Sequence, residues 1–119
     1  DRTVRVPSSG FELEAYMHGP YLEANARHVM LFIEDAPDAR TRALRDYMAP
    51  SIARAFTLTL SDEEDEQALA LSCPCDHHLA PLLLIVPVQM LAWHTARLKG
   101  IDLAKRIFDD FDRVLKSKI

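Results

Sequence analysis

The sequence predicts an α/β domain with a mainly parallel sheet, because short apolar runs of strand length alternate with longer segments of helical periodicity. His28-Val-Met-Leu-Phe-Ile-Glu34 is a continuous apolar run, the pattern of a central strand covered on both faces. Ala55-Phe-Thr-Leu-Thr-Leu60 is a second such run, with β-branched Thr57 and Thr59. Between them Ala39, Ala43, Leu44, Tyr47 and Met48 recur at helical spacing, and Leu79 to Lys99 supplies a long apolar helix.

Taken in order, Thr3 to Val6 alternates as a short strand that Pro7 ends, since proline cannot donate the next ladder hydrogen bond. Ser9-Gly10-Phe11-Glu12 has the spacing of a capping box, so a helix is expected from about Gly10. It should stop at His18, with Gly19 left-handed and Pro20 unable to continue the pattern. A linker, Tyr21 to Arg27, leads to the first core strand. Asp35 to Asp38 turns the chain into a helix over Asp38 to Arg54, kinked or ended by Pro50. After the second core strand come an acidic turn, Ser61 to Glu66, and a short strand, Ala68 to Leu71. Gly100 stops the long helix, and Ile101 to Ile119 reads as a tail whose Ile107, Phe108, Phe111, Val114 and Leu115 pack onto another surface.

The chain's 119 residues, 49% of them hydrophobic, suit one domain with a real core. The formal charge of −4 and the scattered arginines leave no footprint for a phosphate backbone, so nucleic acid is not an expected partner. Pro81, Pro87 and Gln89 interrupt the longest apolar run, Leu79 to Trp93, which is too short for a membrane span. No secretory leader is apparent, and a bridge between Cys73 and Cys75 would be strained, so a reducing, cytoplasmic location is expected.

Several groups could carry chemistry. His18 sits in the last turn of a short helix, where the carbonyl ends favour an imidazolium; it is either a poised proton donor or a complement to the helix dipole. The loop Val6 to Gly10 runs from a strand to a helix N-terminus, a geometry that binds phosphate, although Glu12 and Glu14 would repel one and simple capping is the alternative. Cys73-Pro-Cys-Asp-His-His78 gathers two thiols, a carboxylate and two imidazoles. Its spacing departs from the Cys and His intervals of tetrahedral zinc sites, so a resident metal is not expected, and a small metal-binding protein using this loop ranks last among the alternatives. Asp109 to Asp112 lacks the turn of a calcium loop. His94, on the long helix, reads as a core or interface residue.

Ala-Tyr-Met-His-Gly-Pro at 15–20, Val-Met-Leu-Phe-Ile-Glu at 29–34 and VPVQMLAWHTARLKGID at 86–102 together resemble the second sugar isomerase (SIS) domain of the glucosamine-6-phosphate synthase and fructosamine-6-phosphate deglycase family. The tail, FDRVLKSKI, is closer to the deglycase branch. The resemblance implies a three-layer α-β-α sandwich with residues 1–100 as an incomplete SIS domain and 101–119 as a tail over the sugar site or a partner. It implies a phosphorylated sugar or amino sugar as ligand, no cofactor, and His18 as the acid/base of ring opening ahead of an enediol-type proton transfer. Ser8, Ser9 and Lys116 would bind the substrate. Arg113 stands where the family often places a lysine, and an arginine forms Schiff bases poorly. The family's base is a glutamate sixteen positions before the histidine, where this chain has Arg2. Low or absent turnover of the isolated chain follows, and a non-catalytic sugar-phosphate module is the alternative. A first strand and helix of the family pattern are not found in the sequence, so one sheet face should be uncovered and the chain should assemble at least as a dimer.

Overall fold

The computed structural model describes residues 5–62, 65–73, 75–105 and 110–116, the side chains of residues 111 and 112 excepted. The chain divides into two compact units, residues 9–88 and residues 1–8 with 89–119.

In the larger unit, the first helix, α1, spans Leu13–Met17. Its cap is Glu12 rather than Ser9: the Glu12 backbone is extended, and its carboxylate accepts from the Ala15 N–H at 3.1 Å. The helix therefore begins three residues later than the capping-box spacing indicates. Gly19, at φ 166°, is extended and not left-handed, and Pro20 opens a 3₁₀ turn, Pro20–Glu23, that runs into the expected linker. The helix still stops at His18, because proline has no N–H to offer the preceding turn.

Three parallel strands follow, β1 (Val29–Glu34), β2 (Arg54–Thr59) and β3 (Ala68–Ala70), in that spatial order. Val29 lies opposite Arg54, Glu34 opposite Thr59, and Thr57 to Thr59 opposite Ala68 to Ala70. The helix α2, Ala39–Met48, crosses from β1 to β2. Asp38 caps it, accepting from the Thr41 N–H and hydroxyl, each at 2.8 Å. It ends short of Arg54, because a 3₁₀ turn around Pro50 replaces its last turns and Arg54 already belongs to β2.

Strand alternation puts Val29, Leu31, Ile33, Phe56, Leu58 and Leu69 on one face of the sheet and Met30, Phe32, Glu34, Thr57 and Thr59 on the other. The second face is covered from two directions. The Tyr16 hydroxyl of α1 donates to the Met30 sulfur at 3.6 Å, and the Arg45 guanidinium of α2 donates to the Thr57 hydroxyl at 3.0 Å. On the first face Leu58 packs with Ala80 and Leu84 of the long helix α3, Ala80–Leu98, flanked by Leu60, Leu71 and Val88. Helices on both sides of a parallel sheet make the expected sandwich.

The first face is covered only in part. Val29 is 62% exposed, Leu31 40% and Phe56 41%, and Ile33 and Leu69 are exposed as well. Among the described residues strand β1 is thus an edge strand with one apolar face left open, in place of the central strand covered on both sides that its sequence suggests. The continuous run of apolar residues reports what the strand could bury. The described residues cover one side of it.

The α2 face also differs from its periodicity. Tyr47 is 73% exposed and Arg45 only 7%, because the Arg45 guanidinium finds Asp65 at 2.5 Å, Asp46 at 3.3 Å and the Thr57 hydroxyl. A paired guanidinium tolerates burial that an unpaired one would not.

The smaller unit holds α3 from Gln89 onward and α4, Phe111–Leu115. Gly100, at φ 67°, ends α3 as expected: its N–H donates to the Arg97 carbonyl at 3.0 Å and the Ile101 N–H to the Ala96 carbonyl at 2.9 Å, the paired bonds of a left-handed helix stop. Arg5, at φ 52°, and Val6 form a turn, so the expected strand over Thr3 to Val6 is not formed at those two residues. Thr3 and Val4, with Ile107 and Phe108 of the tail, lie outside the described residues. His94 is exposed rather than buried, its ring edge-on to Trp93 at 4.8 Å, while the Arg97 guanidinium lies 4.8 Å over the Trp93 ring. No helix among the described residues is long and apolar enough to cross a membrane.

Candidate functional site

Open parallel sheets present their ligands with the crevice beyond the carboxyl ends of the strands, where the chain passes from strand to helix. In the larger unit a cavity of about 200 Å³ occupies that place. Asp35 and Ala36 come from the end of β1, Leu60 from the end of β2, and Ala80 from the first turn of α3; Cys73, Cys75 and His77 complete the lining. Glu34, the last residue of β1, is buried at the same end of the sheet. Burial pushes its carboxyl above the ordinary glutamate range, against the opposing effects of the Asp38 N–H, which donates to it at 3.3 Å, and of Arg42.

A second cavity, of about 360 Å³, lies between α1 with its following turn and α2. Met17 and Tyr21, which bracket His18-Gly19-Pro20 in the chain, line it from one side, and Arg40, Leu44 and Tyr47 from the other. The Arg40 guanidinium donates to the Glu14 carboxylate at 2.9 Å, tying α2 to α1 across this opening. Phenol hydroxyls, a guanidinium fork and apolar walls suit a ligand with an anionic end and a carbon skeleton.

His18 is the C-terminal cap of α1; its backbone N–H donates to the Ala15 carbonyl at 3.3 Å, and the residue is exposed. Ser9 lies in the same unit, exposed, four residues before α1. Ser8, Arg113 and Lys116 belong to the smaller unit, Arg113 in the last turn of α4 and Lys116 just beyond it at φ 49°; all three are exposed. Arg2 lies outside the described residues.

Sequence reasoning passed over Glu34, Arg40 and Arg45. Glu34 had one local signal, a carboxylate at the end of an apolar strand. Arg45 had none, because its partner Asp65 is 20 residues away in an acidic run that reads as solvated. That ion pair and the Gln67 N–H hold the Asp65 carboxyl below the usual range, the Gln67 hydrogen bond contributing most.

No protein-family model matches the chain, and no curated protein does. Solved structures do. A Clostridium difficile protein provisionally described as a phosphosugar isomerase superposes with a TM-score of 0.80 at 22% identity over 98% of this chain and 33% of its own. A Salmonella typhimurium protein provisionally described as sugar-binding superposes with a TM-score of 0.67 at 28% identity, over 76% of this chain and 28% of its own. The chain therefore has a phosphosugar-isomerase-like α/β fold and spans about a third of the length of these structures.

Proposed function

We propose that this chain is the C-terminal portion of an SIS-type phosphosugar protein, binding a phosphorylated ketose or its amine adduct in a ketoamine-phosphate deglycase or an isomerising aminotransferase. The observation that carries the reading is an exposed histidine at the end of α1, in a turn whose neighbours Met17 and Tyr21 line a cavity that also holds Arg40. The fold likeness to a provisional phosphosugar isomerase and a provisional sugar-binding protein supports the same class.

In this reading the Arg40 fork and the Tyr21 hydroxyl hold the ester, and His18 protonates the ring oxygen as the sugar opens. Imidazole can do this because its ordinary titration range brackets neutrality. Ser9 adds a contact to the sugar ester, and Ser8, Lys116 and Arg113, in the smaller unit, are the further sugar-binding residues that the family resemblance implies. Proton transfer between adjacent carbons then needs a carboxylate, and Arg2 occupies the position where the family places it. The isolated chain is accordingly a binding and assembling unit with little or no turnover, located in the cytoplasm. Its uncovered sheet face, Val29, Leu31, Ile33 and Phe56, is the surface a second copy would cover.

Calorimetric titration with fructose 6-phosphate, with fructose and inorganic phosphate as controls, tests the reading. Saturable binding of the ester is expected, weakened about tenfold or more by Arg40→Ala through loss of a charge-assisted contact worth about 1.5–3 kcal/mol. No heat from the ester at millimolar concentration, or equal binding by the Arg40→Ala chain, would contradict it.

A further inference from the structure

The 200 Å³ cavity at the carboxyl end of the sheet has a lining that sugar recognition does not account for: two thiols and an imidazole. We propose that Cys73, Cys75 and His77, completed by Asp76 or His78, form a binding site for a thiophilic divalent cation of the zinc class. Both cysteines are free and exposed. Asp76, His77 and His78 already bring one donor atom each to within 4.8 Å of one another. Ligands on one tetrahedral zinc ion stand about 3.3–3.8 Å apart for bonds of 2.0–2.3 Å, so His77 and either neighbour reach a shared ion by small rotations, and the two thiols, which line the same cavity as His77, turn toward it.

The backbone on both sides of this loop is fixed. The Leu71 N–H donates to the Thr59 carbonyl at 2.8 Å, the Cys73 N–H to the Leu71 carbonyl at 2.6 Å, and the Ser72 hydroxyl to the Asp62 carboxylate, so the first thiol is anchored to the end of β3. On the other side the Asp76 and His77 carbonyls accept from the Leu79 and Ala80 N–H groups, joining the imidazoles to the start of α3. Oδ1 of Asp76 accepts from the His78 N–H at 2.9 Å and lies 3.7 Å from Nδ1 of His77. This holds one oxygen of the carboxylate beside both histidines. The imidazole rings of His77 and His78 lie 3.9 Å apart at an interplanar angle of 39°.

Two sulfurs and one or two imidazoles select zinc-class or copper-class ions over calcium or magnesium, which prefer oxygen donors. The compressed Cys-x-Cys and His-His spacing differs from that of structural sites whose ligands come from two separate elements. The consequence is an exchangeable ion held between β3 and α3 rather than one that folds the chain. Binding sends the two thiol protons to solvent as the sulfurs become thiolate ligands, with no change of oxidation state.

Cobalt(II) titration of the reduced, untagged chain is the test. One equivalent is expected to raise a thiolate-to-cobalt charge-transfer absorption that zinc then bleaches. Replacing Cys73 and Cys75 together by serine should remove the band, and His77→Ala with His78→Ala should weaken binding at least about tenfold, with circular dichroism unchanged. His94→Ala should leave the titration as it is. A reduced chain that gives no charge-transfer band, or serine and alanine variants that titrate like the parent, would overturn the assignment.

Discussion

Arg45 shows how a single side chain can hold layers together. Its guanidinium bridges α2 to Thr57 on the sheet and to Asp65 beyond β2, at 3.0 Å and 2.5 Å. Arg45→Leu strands the Asp65 carboxylate and should lower the unfolding free energy in urea by about 3 kcal/mol, the lower part of the range for breaking a buried pair because Asp65 keeps some solvent contact. A loss below about 1 kcal/mol would mean that the pair is effectively solvated. Glu34 acts in the opposite sense. Its carboxyl is raised by burial, so its contribution to stability is full below the ordinary glutamate range and is lost as pH rises through the folded-state value. Glu34→Gln should therefore gain stability relative to the parent near neutrality and lose that advantage in acid, as read from denaturation midpoints at about pH 4 and about pH 7. A pH-independent difference would contradict the burial effect. Arg45 could not be read from the sequence, because a lone charge in a helix looks solvent-facing until its distant partner is known, and Glu34 offered only its place at the end of an apolar strand. His18 was legible, since Gly19-Pro20 marks the helix end from local chemistry alone.

At the scale of elements, the core strands and the helices α1, α2 and α3 fall where hydrophobic runs and periodicity place them, with differences at their ends, whereas the strand expected over Thr3 to Val6 gives way to a turn at Arg5 and Val6. Glu12 displaced Ser9 as a cap because an extended carboxylate three residues before Ala15 reaches its N–H equally well. Strand β1 was located by its run of six residues, but no run of residues states whether both faces will be covered. Gly100 was read correctly because a left-handed stop has few alternatives to glycine. Gly100→Ala should cost about 1 kcal/mol from backbone strain alone, since a Cβ there meets nothing within 4 Å. Gly10→Ala, in equally open space and at an ordinary φ, should be close to neutral. Equal melting temperatures for the two variants would show that α3 does not depend on its stop. Leu58→Ala removes the centre of the contact between β2 and α3 and should cost about 3 kcal/mol.

For the whole molecule, the sheet's uncovered face is the dominant feature. Among the described residues, Val29, Leu31 and Ile33 of β1, with Phe56 beside Leu31 on β2, form an apolar patch at the β1 side of the sheet, where exposed strands invite association. Sedimentation should find the chain as a dimer or larger, and Leu31→Lys with Phe56→Lys should shift it toward monomer while circular dichroism keeps its helical content. A parent chain that sediments as a monomer would oppose assembly through this face. The sandwich was legible in the sequence because alternating strands and helices leave few arrangements. The two cavities were not, since each draws its walls from segments that meet only after folding.

The sugar-phosphate reading stands or falls at His18. Following the His18 imidazole resonances by NMR while fructose 6-phosphate is added, with inorganic phosphate as the control, should show a saturating shift for the sugar ester that fructose alone does not produce. Resonances that stay in place through millimolar ester, with the fold intact, would remove the imidazole from any ligand site.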